Sequence, residues 1–214
     1  MKHALIRRSA VMLAAAVLVA AACGCGQGGA SAATTPRPHC PAALLPGYQH
    51  LADRVGTAVY CPSWLPSPLV GKVSPSAVGG AESSSPSVSS DHSYLVSWIW
   101  AESDTGEVHV ILRGYPGRTT IPTCVVTVAG GSGQTSSRVP CFADPHGHLR
   151  MRGIDATLYT VNQGADQWHL LYAWRHAGTL YTASQHVAAP LTIERVRADL
   201  RRVLAGLVLV SPAA

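Results

Sequence analysis

The hydrophobic positions divide the chain into three regimes: unbroken from Ala10 to Ala22, alternating through much of the middle, and at helical spacing from Ile193 onward. In the alternating part, Tyr94, Val96, Trp98 and Trp100 share one parity, with Leu95, Ser97, Ile99 and Ala101 on the other. Ser103-Asp104-Thr105-Gly106 supplies a turn and Val108, Val110 and Leu112 return, which predicts a hairpin. Residues 125–128 predict a short strand followed by a flexible GGSGQTSS stretch, and 148–151 and 156–161 predict two more strands. The segment QWHLLYAWRHAGTLYTASQHV predicts a hairpin turning at Ala177-Gly178, which places Trp174 opposite Tyr181, Tyr172 opposite Ala183 and His169 opposite His186. Ile193, Val196, Leu200, Val203, Leu204 and Leu207 then form an apolar stripe, with Thr192 as N-cap just after Pro190. Strands followed by one such helix predict an α+β fold: an antiparallel β-sheet with a C-terminal amphipathic helix packed on one face.

The unbroken run has a different meaning. It follows Lys2, Arg7 and Arg8 and contains no charge. A membrane-crossing helix needs about 20 apolar residues, so this run suits the core of an export signal instead. It ends in Ala20-Ala21-Ala22-Cys23-Gly24, which resembles the bacterial lipobox, where small residues precede the Cys that receives diacylglycerol. The match departs from the strongest form at Ala20, where Leu is commonest. Cys25 is a competing acceptor, and an ordinary secretory signal cut after Ala-x-Ala is the alternative, which leaves the Cys directly after the small residues unexplained. The expectation is a lipid anchor at Cys23 on the extracytoplasmic face of a cell membrane.

Charge changes once the signal is removed. The whole chain is formally +5, but the signal takes three bases, leaving thirteen against eleven acids, or +2. Arginines cluster only at Arg195, Arg197, Arg201 and Arg202, and no stretch interleaves bases with aromatics, so nucleic acid is not an expected partner. Cysteine use agrees with export. Cys40, Cys61, Cys124 and Cys141 allow three connectivities. Local pairing is favoured, because each neighbouring pair brackets a Pro- or Gly-rich excursion. A zinc site is the rival, but no CxxC spacing is present.

The expected organisation is a signal peptide over 1–22, an anchor and flexible tether over 23–39 (Gly, Ala, Ser, Thr and Pro without period), and one domain over 40–214. Low-complexity residues 74–93 read as a long exposed loop within that domain. Richness in Ala, Arg and Gly, with Lys72 the one lysine after the signal, suggests a high-GC genome.

Ala58-Val59-Tyr60-Cys61-Pro62-Ser63-Trp64-Leu65-Pro66 resembles the opening motif of an uncharacterised domain family of bacterial lipoproteins and of the extracytoplasmic parts of anti-sigma regulators. Trp168 to Trp174, Gly178 to Tyr181 and the final helix are similar to that family's close. Cys61 replaces its usual aliphatic residue, and the middle of the chain shows no likeness. The resemblance covers about a quarter of the chain and implies an extracytoplasmic α+β module with no known reaction.

Candidate chemistry is sparse. His146-Gly147-His148 follows Asp144-Pro145 and reads as a turn; His169 and His186 form a facing pair that lacks a third ligand. Gly130-Gly131-Ser132-Gly133 misses the G-x-S-x-G elbow, since Gln134 stands where the last Gly belongs. No P-loop, GxGxxG or HExxH occurs. Neither a catalytic residue, a metal site nor a cofactor is therefore expected. Five Trp and seven Tyr against one Phe is an unusual balance. Trp98, Trp100, Trp168 and Trp174 are expected on one sheet face, either as core or as the lining of a sheet–helix cavity for a hydrophobic ligand. The functional expectation is a non-catalytic binding or regulatory module at the cell envelope with a protein or envelope partner; a carrier of a hydrophobic or lipidic ligand is the alternative, and a hydrolytic enzyme comes third.

Overall fold

The α+β expectation is met by an antiparallel sheet in which parity decides what each face does. A computed structural model describes residues 37–69, 86–102, 106–130, 133–159 and 169–213, and Arg37–Ala214 forms one compact unit. In chain order the elements are α1 (Leu45–Val55), β1 (Val59–Pro62), β2 (Ser87–Val88), β3 (Tyr94–Glu102), β4 (Gly106–Tyr115), β5 (Thr123–Gly130), β6 (Gly133–Pro140), β7 (Pro145–Met151), β8 (Ile154–Tyr159), β9 (His169–His176), β10 (Thr179–His186), α2 (Ile193–Ala205) and β11 (Leu207–Val210). Seven strands form the main sheet in the order β2-β3-β4-β10-β9-β8-β7, while β1 pairs with β11 and β5 with β6 as separate two-stranded ribbons.

The alternation predicted for β3 and β4 is observed, with Trp98 paired to Val110 and Trp100 to Val108. The β9–β10 hairpin has the predicted register at every pair named above, including His186 to His169. Ala177 and Gly178 both have positive φ, 46° and 76°, the geometry a two-residue turn needs to match strand twist. β10 then pairs with β4 through Leu112–Ala183 and its neighbours, a joint between segments far apart in sequence.

α2 packs on one face of this sheet, and α1 joins the same core. α2 begins at Thr192, whose hydroxyl accepts from the Arg195 N–H, and buries Val196, Leu200, Val203 and Leu204. Its contacts are with β9 and β10. The Glu194 carboxyl is held below its usual range by its own backbone N–H and then by the Thr192 hydroxyl, which suits a first-turn acid. α1 buries Tyr48, Leu51, Ala52 and Val55 and packs on β1 and β11. Pro46 lies in its first turn, where a missing N–H costs nothing, and Gly56 closes it in the left-handed region. One continuous core joins these helix residues to Val96, Trp98, Val110, Leu112, Ala156, Leu158, Leu170, Tyr172, Trp174, Tyr181 and Ala183.

Three expectations are corrected, and one helix is added. Leu207 does not continue α2: the helix ends at Ala205, and Leu207 starts β11, which pairs with β1. Residues 134–137 of the supposed flexible stretch are strand β6, in full register with β5. His146 and His148 lie on edge strand β7 and not in a turn, because its partner β8 holds the segment extended. α1 is the added helix: a Pro-Gly pair is ordinarily a turn signal, yet Tyr48, Leu51, Ala52 and Val55 keep helical spacing. The turn at 103–105 and residues 74–85 of the low-complexity region lie outside the described residues.

Candidate functional site

Both local disulfides are present. Cys40–Cys61 has Cα atoms 5.6 Å apart and ties the start of the domain to β1; Cys124–Cys141 has Cα atoms 4.8 Å apart and closes the base of the β5–β6 ribbon. All four thiols suggested as zinc ligands are therefore consumed as cross-links. Cys23, Cys25 and Ser132 lie outside the described residues.

Trp98 and Trp174 are buried in the main core, at 0% and 3% exposure, and Trp100 is partly buried against it; Trp168 lies outside the described residues. Around Trp174 the rings touch one another. Tyr60 meets Trp174 edge-on at 5.3 Å and Tyr181 at 4.9 Å, and Trp174 stacks on Tyr181 at 5.8 Å. Such pairs contribute about 0.5–1.5 kcal/mol each beyond the area they bury. The Tyr181 hydroxyl donates to the Ala58 carbonyl at 2.7 Å. Burial raises the hydroxyl pKa of Tyr60, Tyr94 and Tyr181 above the ordinary phenol value. The aromatic cluster is thus a packed part of the core. What could have revealed it was the Tyr60 position: the motif carrying it was legible, but its contact with β9 and β10 was not.

The opposite sheet face is different in kind. It buries Ser97, Thr182, Ser184 and His169, polar side chains among the hydrophobic ones. His109 and His186 each stand one residue beyond the Val110–Gln185 pair, on the two adjoining strands, and His169 follows on β9. The His169 and His186 rings stack at 5.0 Å, and His109 meets His169 edge-on at 5.3 Å. The predicted facing pair is therefore part of a row of three imidazoles. His109 was missed because its own strand shows only that it opposes Val108 and Val110 in parity; nothing in that strand says β4 lies beside β10. Further along this face Phe142, Cys141, Leu171, Ala173 and Leu180 form a small second core beside the ribbon's base. Among the described residues no group of three or more His, Cys, Asp or Glu is arranged to hold a metal ion. His148 stands apart on β7, exposed, 3.5 Å from the Thr157 hydroxyl.

Two surfaces remain outward. The β5–β6 ribbon exposes most of its described side chains, Val125 among them at 60%. α2 turns Arg195, Arg201 and Arg202 outward, and the Arg202 guanidinium lies 4.1 Å over the Trp64 ring. Among the described residues no helix is long and apolar enough to cross a membrane. No family model matches the chain, and neither a curated protein nor a solved structure matches it.

Proposed function

We propose that the chain is an exported lipoprotein, held to a membrane by diacylglycerol on Cys23, and that its folded part is a non-catalytic binding or regulatory module of the cell envelope. The observation that carries this reading is the pair of disulfides built into the fold, each closing a sequence-local loop. Cross-links of this kind persist in oxidising compartments outside the cytoplasm. The signal-like first 22 residues and the Ala-Ala-Ala-Cys-Gly sequence supply the route there. The likeness of the segment around Tyr60 and Trp64 to envelope lipoprotein domains points the same way. A non-catalytic role rests on the sequence, which carries no P-loop, GxGxxG, HExxH or complete G-x-S-x-G motif. The aromatic core favours packing over a ligand cavity, since Tyr60, Trp174 and Tyr181 fill their interface with one another.

The test is a Cys23→Ser variant expressed in a host that processes lipoproteins. Wild type is expected in the membrane fraction with a fatty-acid label, and the variant is expected to lose both. Retention of label and membrane fractionation by the variant would move the acceptor to Cys25; absence of label from wild type would sink the lipoprotein reading. Native mass spectrometry of the mature protein addresses the carrier alternative, which requires a retained lipid-sized mass beyond the covalent anchor.

A further inference from the structure

α2 carries Arg195, Arg197, Arg201 and Arg202 within eight residues, against Glu194 and Asp199. Its apolar stripe faces the core, so the arginines are left on the outer arc, with Arg195, Arg201 and Arg202 exposed and Arg197 half-buried. Asp199 is itself buried at 6% exposure and holds the Arg195 Nε at 3.1 Å, so that acid neutralises Arg195 and offers nothing to the others. Arg201 has no acidic partner among the described residues, and Arg202 rests on the half-buried indole of Trp64. The outer arc therefore presents unneutralised guanidinium groups beside a tryptophan.

The position of this surface is fixed by the first disulfide. The Ser63 N–H donates to the Gly206 carbonyl at 2.9 Å, which brings Trp64 to the C-terminal end of α2. Cys61 is three residues before Trp64 and is bonded to Cys40, whose Cα is 5.6 Å away. Three residues reach at most about 11 Å, so the backbone at Cys40 lies within about 16 Å of that at Trp64. Cys40 is where the chain enters the domain from Arg37, itself exposed. Fourteen peptide steps lead from Cys23 to Arg37. They span at most about 50 Å in any conformation. A lipid at Cys23 therefore keeps a bilayer surface within reach of the corner formed by Trp64 and the end of α2.

From this we infer that Trp64 and the arginine face of α2, with Arg201 and Arg202 foremost, dock on anionic phospholipid headgroups of the membrane that holds the anchor. The chemistry is complementary: guanidinium groups make paired hydrogen bonds to phosphate, tryptophan is favoured at headgroup depth, and clustered bases on an amphipathic helix are drawn to anionic leaflets. The proximity argument rests on the Cys23 reading; the charge complementarity does not. Docking would lay the domain against the bilayer by its α2 side and leave the β5–β6 ribbon and the far sheet edge to other partners.

The experiment uses the mature lipidated chain with Cys25→Ser and Ala198→Cys, labelled at the exposed position 198 with a polarity-sensitive fluorophore. It is reconstituted on phosphatidylcholine vesicles with and without phosphatidylglycerol, each doped with a headgroup quencher. Quenching several-fold stronger on the anionic vesicles is expected. It should collapse at high salt and in R201E/R202E, and persist in R201K/R202K. Equal quenching on both vesicles, or quenching unchanged by R201E/R202E, overturns the proposal. Flotation with neutral vesicles reports the anchor separately. If the protein does not float with them, the anchor reading fails; flotation with anionic vesicles alone then still supports the α2 face, and flotation with neither rejects it.

Discussion

Tyr94 and Gly114 face each other across the β3–β4 pair, and the tyrosine ring occupies the space a side chain at 114 would need. A Cβ built on Gly114 would stand 2.7 Å from the ring Cζ and 2.9 Å from the hydroxyl, distances real contacts do not tolerate. Tyr94 is 4% exposed and cannot swing out without opening the core. Gly114→Ala is therefore expected to cost about 1–3 kcal/mol through overpacking, read as a lower denaturant midpoint with unchanged m-value. Tyr94 was legible as a core position from parity alone. That Gly114 exists to receive its ring was not, because the sequence gives no distance between the strands. Asp91 shows a residue-scale effect of charge. It accepts the Ser93 hydroxyl at 2.6 Å and N–H at 3.1 Å, and pairs with Arg118 at 2.7 Å. The Ser93 hydroxyl first, then the Ser93 N–H, with Arg118 adding less, pull its carboxyl down to about 2. Its folded pKa thus lies below the unfolded value of about 3.9, so its contribution is present in full above that value and disappears as pH falls towards 2. Because both partners are largely exposed, Asp91→Asn should cost less than about 1 kcal/mol at neutral pH. The difference from wild type should shrink steadily below about pH 4 and be lost as pH falls through about 2; a difference that stays constant with pH would rule out the ion-linked account.

Elements differed in how clearly they could be read. The β9–β10 hairpin gave its register from sequence because alternation and an Ala-Gly turn agreed on one frame. The start of α2 was equally clear, since the cap, the preceding Pro and the apolar spacing coincide at Thr192. α1 was hidden by Pro46-Gly47, and β6 by small polar residues that carry no hydrophobic period. β6 exists because β5 offers a partner and the Cys124–Cys141 bond holds the two together at their base. A lone two-stranded hairpin is marginal in water. Removing this disulfide with C124A/C141A should therefore abolish amide-exchange protection across β5 and β6 while leaving β9 and β10 protected. C40A/C61A should behave in the opposite way. That bond joins the domain's entry to β1, which pairs with β11 beside both helices, so its loss should lower global stability by about 3 kcal/mol on the chain-entropy account. Uniform loss of protection in the first variant would show that the ribbon shares the stability of the main sheet.

At the scale of the whole molecule, the decisive contact is the β4–β10 joint. It brings the β2–β3–β4 segment against the β7–β8–β9–β10 segment, which the chain reaches only after the β5–β6 excursion. Local pattern could predict both segments and the α+β class, yet it could not say that they share a sheet, and the histidine row depends on that joining. The core crosses the joint without a break: Val96, Trp98 and Leu112 on one side and Ala183, Leu170 and Tyr172 on the other belong to one cluster, with α2 packed on β9 and β10. A continuous core with six ladder pairs across the seam should unfold as one cooperative unit. Leu112 is the place to test this. It is 2% exposed and sits directly opposite Ala183, and truncation there cannot be repaired by neighbours on a single segment. Leu112→Ala should cost about 2–5 kcal/mol. Native-state hydrogen exchange should report that loss equally in β3 and in β9, although Leu112 lies in neither. If protection fell in β3 and β4 but held in β9 and β10, the sheet would be two stability units meeting at a seam, and the histidine row would then straddle their boundary.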